Sequence, residues 1–382
     1  MAIKEAKTAY STAPAKRDTA LDLLKIAGSI LIVFHHYCQM TGTRFTKGIN
    51  FLDGIFPFGY IVELFFLISG FLMYKYAGRI TTGETGFRKF FISRYSRLIP
   101  LAAVSVISYA LFDHYVFFRV TGNYFGGTAP TAWGVVLGML GLQAGWTSET
   151  IYMINNPTWY VSVLLLCYVV FYFLTEICAR KNKSPRKFYV IMALTGAMDW
   201  CISNMTGFHI PFLNALSARG FMPFFTGLTL ANLLETKLRK RKIRHYMAAV
   251  CILIASFIAI KTGIGIFLPV FLSLLTYPDI LFIMTGIGKA IPPQAVFNKP
   301  LHYLSSISYS VYIWHLCGLM VLISANTYFD LKLDLHSPVT MLIFTLIMEF
   351  ASALSFHLIE KKINPRFEIF LTETFLASYP SK

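Results

Sequence analysis

The chain has 382 residues, of which 56% are hydrophobic and only 14% are charged, and its mean hydropathy is +0.59. Soluble domains are about one quarter charged, so this composition excludes a soluble globular protein. The net charge of +16 is concentrated in clusters between apolar blocks, which is typical of cytoplasmic loops and argues against nucleic acid as a partner.

Ten apolar blocks approach the roughly 20 residues that a bilayer-spanning helix needs. In chain order they lie at 21–40, 56–77, 97–118, 158–178, 188–206, 212–234, 247–262, 264–288, 301–325 and 338–359. A spanning helix pairs its own backbone polar groups, so we predict an all-α, polytopic membrane helix bundle of about ten transmembrane helices. The short, glycine-rich block 132–146 is interpreted as an outside loop that dips into the membrane interface.

Lysine and arginine predict the topology. With the N-terminus inside, most of the basic residues fall in inside segments, including the run 180–187. This positive-inside bias predicts that both termini are cytoplasmic. We therefore expect a cytoplasmic tail at 1–20, a transmembrane domain at 21–360 and a second cytoplasmic tail at 361–382.

The first span carries the most informative polar residues. Lys25 and His36 are eleven residues apart, which at 100° per residue places them within about 20° of one face, with a rise of roughly 16 Å. His35 points about 80° away from Lys25. Ionisable residues within spans are costly and therefore suggest function. The alternative for His36 is a packed histidine bonded to a neighbouring helix.

Other charged residues lie in or beside later spans. Arg94 and Arg97, three residues apart at the cytoplasmic start of the third span, share a helix face and are suited to binding phosphate; simple anchoring at the membrane surface is the alternative. Glu63, in the second span, is expected to pair with a cation or to hold a histidine tautomer. Arg219 is the only arginine in mid-span, so it should face the bundle interior.

The segment SSISYSVYIWH, which contains Tyr309 and ends at His315, is expected to line an interior face, with packing as the favoured role. The six cysteines lack close metal-ligand spacing, so we predict neither a metal site nor a disulfide framework. The chain contains no P-loop, HExxH or GxSxG motif. A histidine with two arginines and no metal motif suggests acid–base chemistry on a phosphate-bearing partner.

Several segments together resemble acyltransferase family 3, a family of membrane acyltransferases. LDLLKIAGSILIVFHH is similar to its opening helix, with Lys25 in the place of an arginine and His36 in the place of the histidine. VELFFLISGFL resembles its second-span motif, with Glu63 where aspartate is usual, and RYSRLIP matches R-x-x-R-x-x-P. SARGFMPFFTG, SISYSVYIWH and SFHLIEKKINP, which includes Glu360, resemble later segments. The resemblance covers most of residues 18–365, but the segment at Trp159 lacks a glutamate that many members have.

The resemblance implies transfer of an acyl group, most often acetyl, from acetyl-CoA or another acyl-CoA to a hydroxyl of an extracytoplasmic glycan or similar acceptor. It places the protein in the plasma membrane, which in a bacterium is the inner membrane. Arg94, Arg97 and Lys25 are expected to bind the phosphates of coenzyme A. His36 is expected to act as general base, oriented by Glu63, or to form a transient acyl-histidine. His35, Arg219, Tyr309 and His315 are further candidates.

Two other classes of function remain open at this stage. Spans with buried charges also occur in small-molecule transporters, although inverted repeats typical of carriers are not visible in the sequence. A membrane scaffold without chemistry would tolerate replacement of His36.

Overall fold

The computed structural model describes residues 18–45, 50–52, 54, 58–148, 153–236, 238, 241–292 and 295–376. The chain is 79% helical, and no strand occurs in the described residues. The predicted all-α, polytopic membrane architecture is therefore confirmed.

The first half of the chain forms five helices. They are α1 (Thr19–Thr41), α2 (Val62–Thr81), α3 (Phe87–Phe112), α4 (Ala132–Leu140) and α5 (Thr158–Arg180). A 3₁₀ turn, Phe58–Ile61, leads into α2. Helix α3 continues through a π-helical turn, Asp113–Phe117, into a last α-helical turn, Phe118–Thr121.

Seven helices follow in the second half. They are α6 (Arg186–Thr206), α7 (Ala215–Glu235), α8 (Ile243–Lys261), α9 (Tyr277–Ala290), α10 (Asn298–Tyr328), α11 (Pro338–Ser355) and α12 (Ile363–Leu376). Short helical turns from Gly265 to Thr276 precede α9, and a π-helical turn, Phe356–Glu360, extends α11.

All ten predicted spans are helical. Among the described residues, eight helices are long and apolar enough to cross a membrane. The other two, α6 and α7, have 21 residues each and are therefore also about 30 Å long. The most apolar stretch of each has a lower mean hydropathy than those of the other eight helices. Helix α6 begins with Arg186 and Lys187 and contains Asp199, and α7 contains Arg219 and several small polar residues.

One expectation for a connecting segment needs correction. The block 132–146 contains helix α4 rather than a loop: the Thr131 hydroxyl accepts the Gly134 N–H at its start, and Gly141, with a φ of +71°, ends it. Nine residues rise only about 14 Å, too little to cross a bilayer. Helix α12 lies within the predicted C-terminal tail, 361–382.

The chain divides into two compact units. Unit 1 contains the described residues of Met1–Lys25, Tyr60–Phe91 and Leu166–His302. Unit 2 contains those of Ile26–Gly59, Ile92–Leu165 and Tyr303–Lys382.

In unit 1, helix α7 packs along both α2 and α6. Glycines allow the close approach of α7 to α2. A Cβ on Gly70 would meet the carbonyl oxygen of Phe224, and a Cβ on Gly227 would meet the carbonyl of Leu67 and lie 2.8 Å from the amide nitrogen of Phe71. Small residues at a crossing let two membrane helices approach until their backbones touch, which increases van der Waals contact.

In unit 2, an apolar cluster joins the C-terminal part of α1 to α3, α10 and α11. We call it the unit 2 core; its buried members include Tyr37, Cys38, Tyr109, Phe117, Phe125, Val311, Leu316, Cys317, Met320, Phe344 and Met348. The buried Asn155 ties these helices together, because its amide donates to the Ser105 hydroxyl and to the Ile313 carbonyl, each over 3.1 Å.

Candidate active site

A pair of histidines forms the polar centre of unit 2. Nδ1 of His36, on α1, lies 2.8 Å from Nε2 of His315, on α10, within hydrogen-bond distance. The two rings stack with their centroids 4.8 Å apart. His315 is fully buried, whereas His36 is partly exposed. The sequence separates these residues by 279 positions, and only helix packing brings them together.

Either ring can be the donor in this pair, depending on the tautomer, because a neutral imidazole has one N–H and one acceptor nitrogen. Nδ1 of His315 is buried and has no hydrogen-bond partner among the described residues. Within that part of the chain, Nε2 of His315 therefore makes the one hydrogen bond of this ring, to His36.

In one of the two tautomers of the pair, Nδ1 of His36 donates and Nε2 of His315 accepts. In that tautomer the lone pair of His36 lies on Nε2. This atom has no hydrogen-bond partner within the described part of the chain, so it is available to take up a proton.

His35 occupies a different position from His36. Its Nδ1 donates to the carbonyl of Phe51 over 2.9 Å, and its ring meets the His36 ring edge-on at 5.0 Å. The glycine at position 59 makes room for it, because a Cβ there would lie 2.8 Å from Nε2 of His35. His35 therefore braces the connection after α1 and packs beside the histidine pair.

A second polar cluster in unit 2 surrounds Arg97. Its backbone carbonyl accepts the side-chain amide of Asn364 over 2.8 Å, and its guanidinium interacts electrostatically with Glu360. Glu360 also accepts a hydrogen bond from the Ser310 hydroxyl over 2.6 Å. The cluster connects α3, α10 and the segment after α11.

The Arg97 side chain is exposed and forms no hydrogen bond or salt bridge to a described residue. Arg94, one helical turn earlier, is partly buried and donates to the Ser93 hydroxyl over 3.1 Å. The two guanidinium groups thus share one end of α3. Planar guanidinium groups bind phosphate through paired hydrogen bonds, so this end of the helix is suited to an anionic ligand.

Tyr309 lies apart from the histidine pair. Its hydroxyl donates to the carbonyl of Leu98 over 2.7 Å and so links α10 to α3. It precedes His315 by six residues, which places it about 9 Å away along the axis and on another helix face. The hydrogen bond to Leu98, the residue after Arg97, indicates that Tyr309 stabilises the backbone beside the Arg97 cluster.

In unit 1, Glu63 and Arg219 form a buried ion pair. Nε of Arg219 lies 2.5 Å from one carboxylate oxygen and Nη2 lies 3.2 Å from the other. Glu63 is 0% exposed and Arg219 is 17% exposed. The guanidinium also lies 5.0 Å from the ring centre of Tyr60, within range of a cation–π interaction. Of the two predicted partners for Glu63, a cation or a histidine, the structure has the cation.

Lys25 also finds an acidic partner in unit 1. Its ammonium nitrogen lies 4.0 Å from a carboxylate oxygen of Asp22, which is itself hydrogen-bonded to Nδ1 of His302. Lys25 and His36 do lie on one continuous helix, α1, as predicted. Their described partners differ: an aspartate for Lys25 and a histidine for His36.

The sequence-based candidates therefore form four described groups. In unit 2, His36 meets His35 and His315, while Arg94, Arg97 and Tyr309 belong to or contact the first half of α3. In unit 1, Glu63 pairs with Arg219, and Lys25 lies beside Asp22. Sequence reasoning missed the buried residues Asp22 and Asp113. The rule that singled out Glu63, an ionisable side chain within an apolar span, would also have found these two aspartates.

Comparison with known proteins agrees with this picture. A family model described as an acyltransferase domain matches residues 18–357, nearly the whole chain. No curated protein and no solved structure matches the chain.

Proposed function

Because the chain belongs to acyltransferase family 3, it is a membrane acyltransferase, and we propose that it moves an acyl group from acyl-CoA to a hydroxyl acceptor. The proposed acyl group is acetyl, and the proposed acceptor is an extracytoplasmic glycan or a similar hydroxyl compound. The observation that carries the proposal is the histidine pair, in which His36 has an unshared Nε2 and is partly exposed.

The proposed reaction begins with proton removal. Nε2 of His36 takes the proton of the acceptor hydroxyl as the oxygen attacks the thioester carbonyl. The carbon–sulfur bond then breaks, and the coenzyme A thiolate leaves with the proton that His36 returns. The products are the acyl ester and free coenzyme A. A positioned imidazole typically contributes about 10²–10⁴-fold to such a step, because its pKa is near neutral in water.

His315 supports this role through the shared hydrogen bond. By accepting from Nδ1 of His36, it favours the tautomer with a lone pair on Nε2 and stabilises the imidazolium that forms when the proton arrives. His315 is thus a positioning residue. It occupies the role that the sequence analysis gave to Glu63, whose two carboxylate oxygens are engaged by Arg219.

The guanidinium groups of Arg94 and Arg97 are the proposed ligands for the phosphates of coenzyme A. The positive-inside bias predicts that this end of α3 is cytoplasmic, where coenzyme A is found. The proposed location is the plasma membrane, with the acceptor on the outer side. Lys25 is a weaker candidate for phosphate binding, because Asp22 already partly neutralises its charge.

The proposal is tested by acetyl transfer in proteoliposomes that contain the purified full-length chain and radiolabelled acetyl-CoA. His36→Ala should lower transfer by about 10²–10⁴-fold, while His209→Ala should match the wild type, because His209 is exposed in the turn between α6 and α7. Size-exclusion chromatography would verify that both variants fold. Full transfer by folded His36→Ala protein would refute the role of His36 as base.

Transfer through an acyl-histidine makes a separate prediction. Incubation with labelled acetyl-CoA without acceptor would then leave label on His36, and the label would disappear when acceptor is added. Absence of label under conditions where transfer is fast would favour direct attack by the acceptor.

A further inference from the structure

A cavity of about 240 Å³ lies in unit 2 at the end of α3. Its walls include Tyr109 and Asp113 from α3 and its π-helical turn, Thr128 and Pro130 from the following loop, and Ile154 before α5. The lining of the cavity thus combines a carboxylate and three hydroxyl-bearing residues, Thr131 being the third, with apolar surfaces. The predicted topology places this end of α3 on the outer side, opposite to the end that carries Arg94 and Arg97.

Asp113 leaves part of its hydrogen-bonding capacity unused. It is only 1% exposed, and its Oδ1 accepts the backbone N–H of Phe125 over 2.8 Å. Its Oδ2 is buried and has no hydrogen-bond partner in the described part of the chain. A buried carboxylate oxygen without a partner is unfavourable. Asp113 also lines the cavity, so a ligand bound there lies beside this carboxylate.

The local backbone places Asp113 at this position. The π-helical turn Asp113–Phe117 inserts an extra residue into the helix, and such turns are frequently found at functional sites. Tyr109 precedes Asp113 by four residues, so both side chains are on the same helix face. The bond from Phe125 to Asp113 also fixes the loop that supplies Thr128 and Pro130.

These features fit a neutral, hydroxyl-rich ligand. Carboxylates and hydroxyls hydrogen-bond to sugar hydroxyls, while apolar walls pack against the C–H face of a sugar ring. The volume is just below the roughly 300–1,000 Å³ of most small-molecule sites, so it suits about one hexose ring. A carboxylate also disfavours an anionic ligand such as coenzyme A.

We propose that the cavity at Tyr109 and Asp113 is the acceptor subsite and binds one sugar ring through a hydrogen bond to the free carboxylate oxygen of Asp113. This proposal rests on the proposed acyltransferase function. The cavity and the histidine pair lie in the same unit, and Tyr109 belongs to the unit 2 core together with Tyr37 and Leu316, the chain neighbours of His36 and His315.

Binding of named sugars to the purified full-length chain in detergent tests the proposal. Isothermal titration with D-glucose and N-acetyl-D-glucosamine would compare wild type with Asp113→Asn. The matched control is Asp330→Asn, because Asp330 carries the same carboxylate with a side chain that is 82% exposed. Tyr109→Phe removes only one hydroxyl and provides a second test if Asp113→Asn does not fold.

We expect saturable binding of at least one of the two sugars by the wild type and by Asp330→Asn. Loss of a charge-assisted hydrogen bond should weaken that binding about 10- to 100-fold in Asp113→Asn, and loss of a neutral one about 3- to 10-fold in Tyr109→Phe. Absence of sugar binding in the wild type, or unchanged affinity in both folded variants, would overturn the proposed subsite.

A parallel assay of acetyl transfer to the bound sugar separates this proposal from the proposed function. Sugar binding that depends on Asp113, but without acetyl transfer, would support a sugar site and refute acyl transfer to that sugar. Transfer with the same KM for sugar in the wild type and in Asp113→Asn would refute the acceptor subsite and leave the acyltransferase function intact.

Discussion

The ion pair between Glu63 and Arg219 allows a quantitative test of the structure. Glu63→Gln retains the shape of the side chain but removes its charge, so Arg219 loses its carboxylate partner. Both carboxylate oxygens accept from the guanidinium, at 2.5 Å and 3.2 Å, and Glu63 is 0% exposed. Water therefore cannot replace the lost partner at the Glu63 side.

The magnitude follows from these contacts. A hydrogen bond to a charged group contributes about 1.5–3 kcal/mol, and Gln loses one of the two because its NH2 group cannot accept from the guanidinium. The remaining charge of Arg219 is left without its counter-charge, and measurements on buried pairs that lose one member fall at about 3–5 kcal/mol. We therefore expect Glu63→Gln to lower the free energy of unfolding by about 3–5 kcal/mol. Arg219→Lys, which keeps the charge but not the planar fork, should cost about half as much.

Equilibrium unfolding in mixed detergent micelles, followed by tryptophan fluorescence, would measure these changes. Glu176→Gln is the matched control, because Glu176 pairs with the exposed Arg180 over 2.8 Å and exposed pairs contribute little. The double variant Glu63→Leu/Arg219→Met should be more stable than either Glu63→Leu or Arg219→Met alone. If Glu63→Gln is as stable as the wild type, or if the Leu and Met changes are additive in the double variant, the buried pair does not hold α2 to α7.

Three further predictions concern packing and chemistry. Gly227→Ala should lower the free energy of unfolding by about 1–3 kcal/mol, because its Cβ meets the backbone of α2. Gly86→Ala is the control, because a Cβ there meets nothing within 4 Å. Equal stability of the two variants would contradict the close crossing of α7 and α2. His315→Gln should lower kcat about 10- to 100-fold with an unchanged KM for acetyl-CoA, because Nδ1 of His36 loses its histidine partner. The proteoliposome assay measures both constants. An unchanged kcat would show that His315 does not position the base. Arg97→Ala should weaken coenzyme A binding about 10- to 100-fold in titration calorimetry. Arg88→Ala is the control and should bind like the wild type, because Arg88 is an exposed arginine on the same helix. Equal affinities of the two variants would contradict phosphate binding at Arg97.

The helices could be predicted because the length and apolar character of a spanning segment are local properties. Their ends were less predictable. The second span was expected at 56–77, but α2 is Val62–Thr81, and the third was expected at 97–118, but α3 begins at Phe87. Both helices extend into polar sequence that carries lysine and arginine, since long basic side chains can reach the membrane interface from a helix end.

The pairings within the candidate site could be predicted only in part. The sequence indicated that Glu63 and Arg219 are buried charges, and it left open whether Glu63 pairs with a cation or with a histidine. In the structure its partner is the cation Arg219. The bond between His36 and His315 depends on the packing of α1 against α10, which no local pattern encodes. Asp113 lies within the predicted span 97–118, so its burial could have been expected from the sequence, but its bond to Phe125 depends on the loop that follows.

The ionisable groups within the helices can be sorted by the hydrogen bonds that they still lack. Both carboxylate oxygens of Glu63 are engaged, so the Glu63–Arg219 pair is complete without a ligand. His36 and Asp113 differ, because Nε2 of the one and Oδ2 of the other have no partner among the described residues. A low-dielectric interior makes an unpaired polar atom costly. In the proposed reaction a substrate supplies what these two groups lack: a hydroxyl proton for His36 and a hydrogen-bond donor beside Asp113.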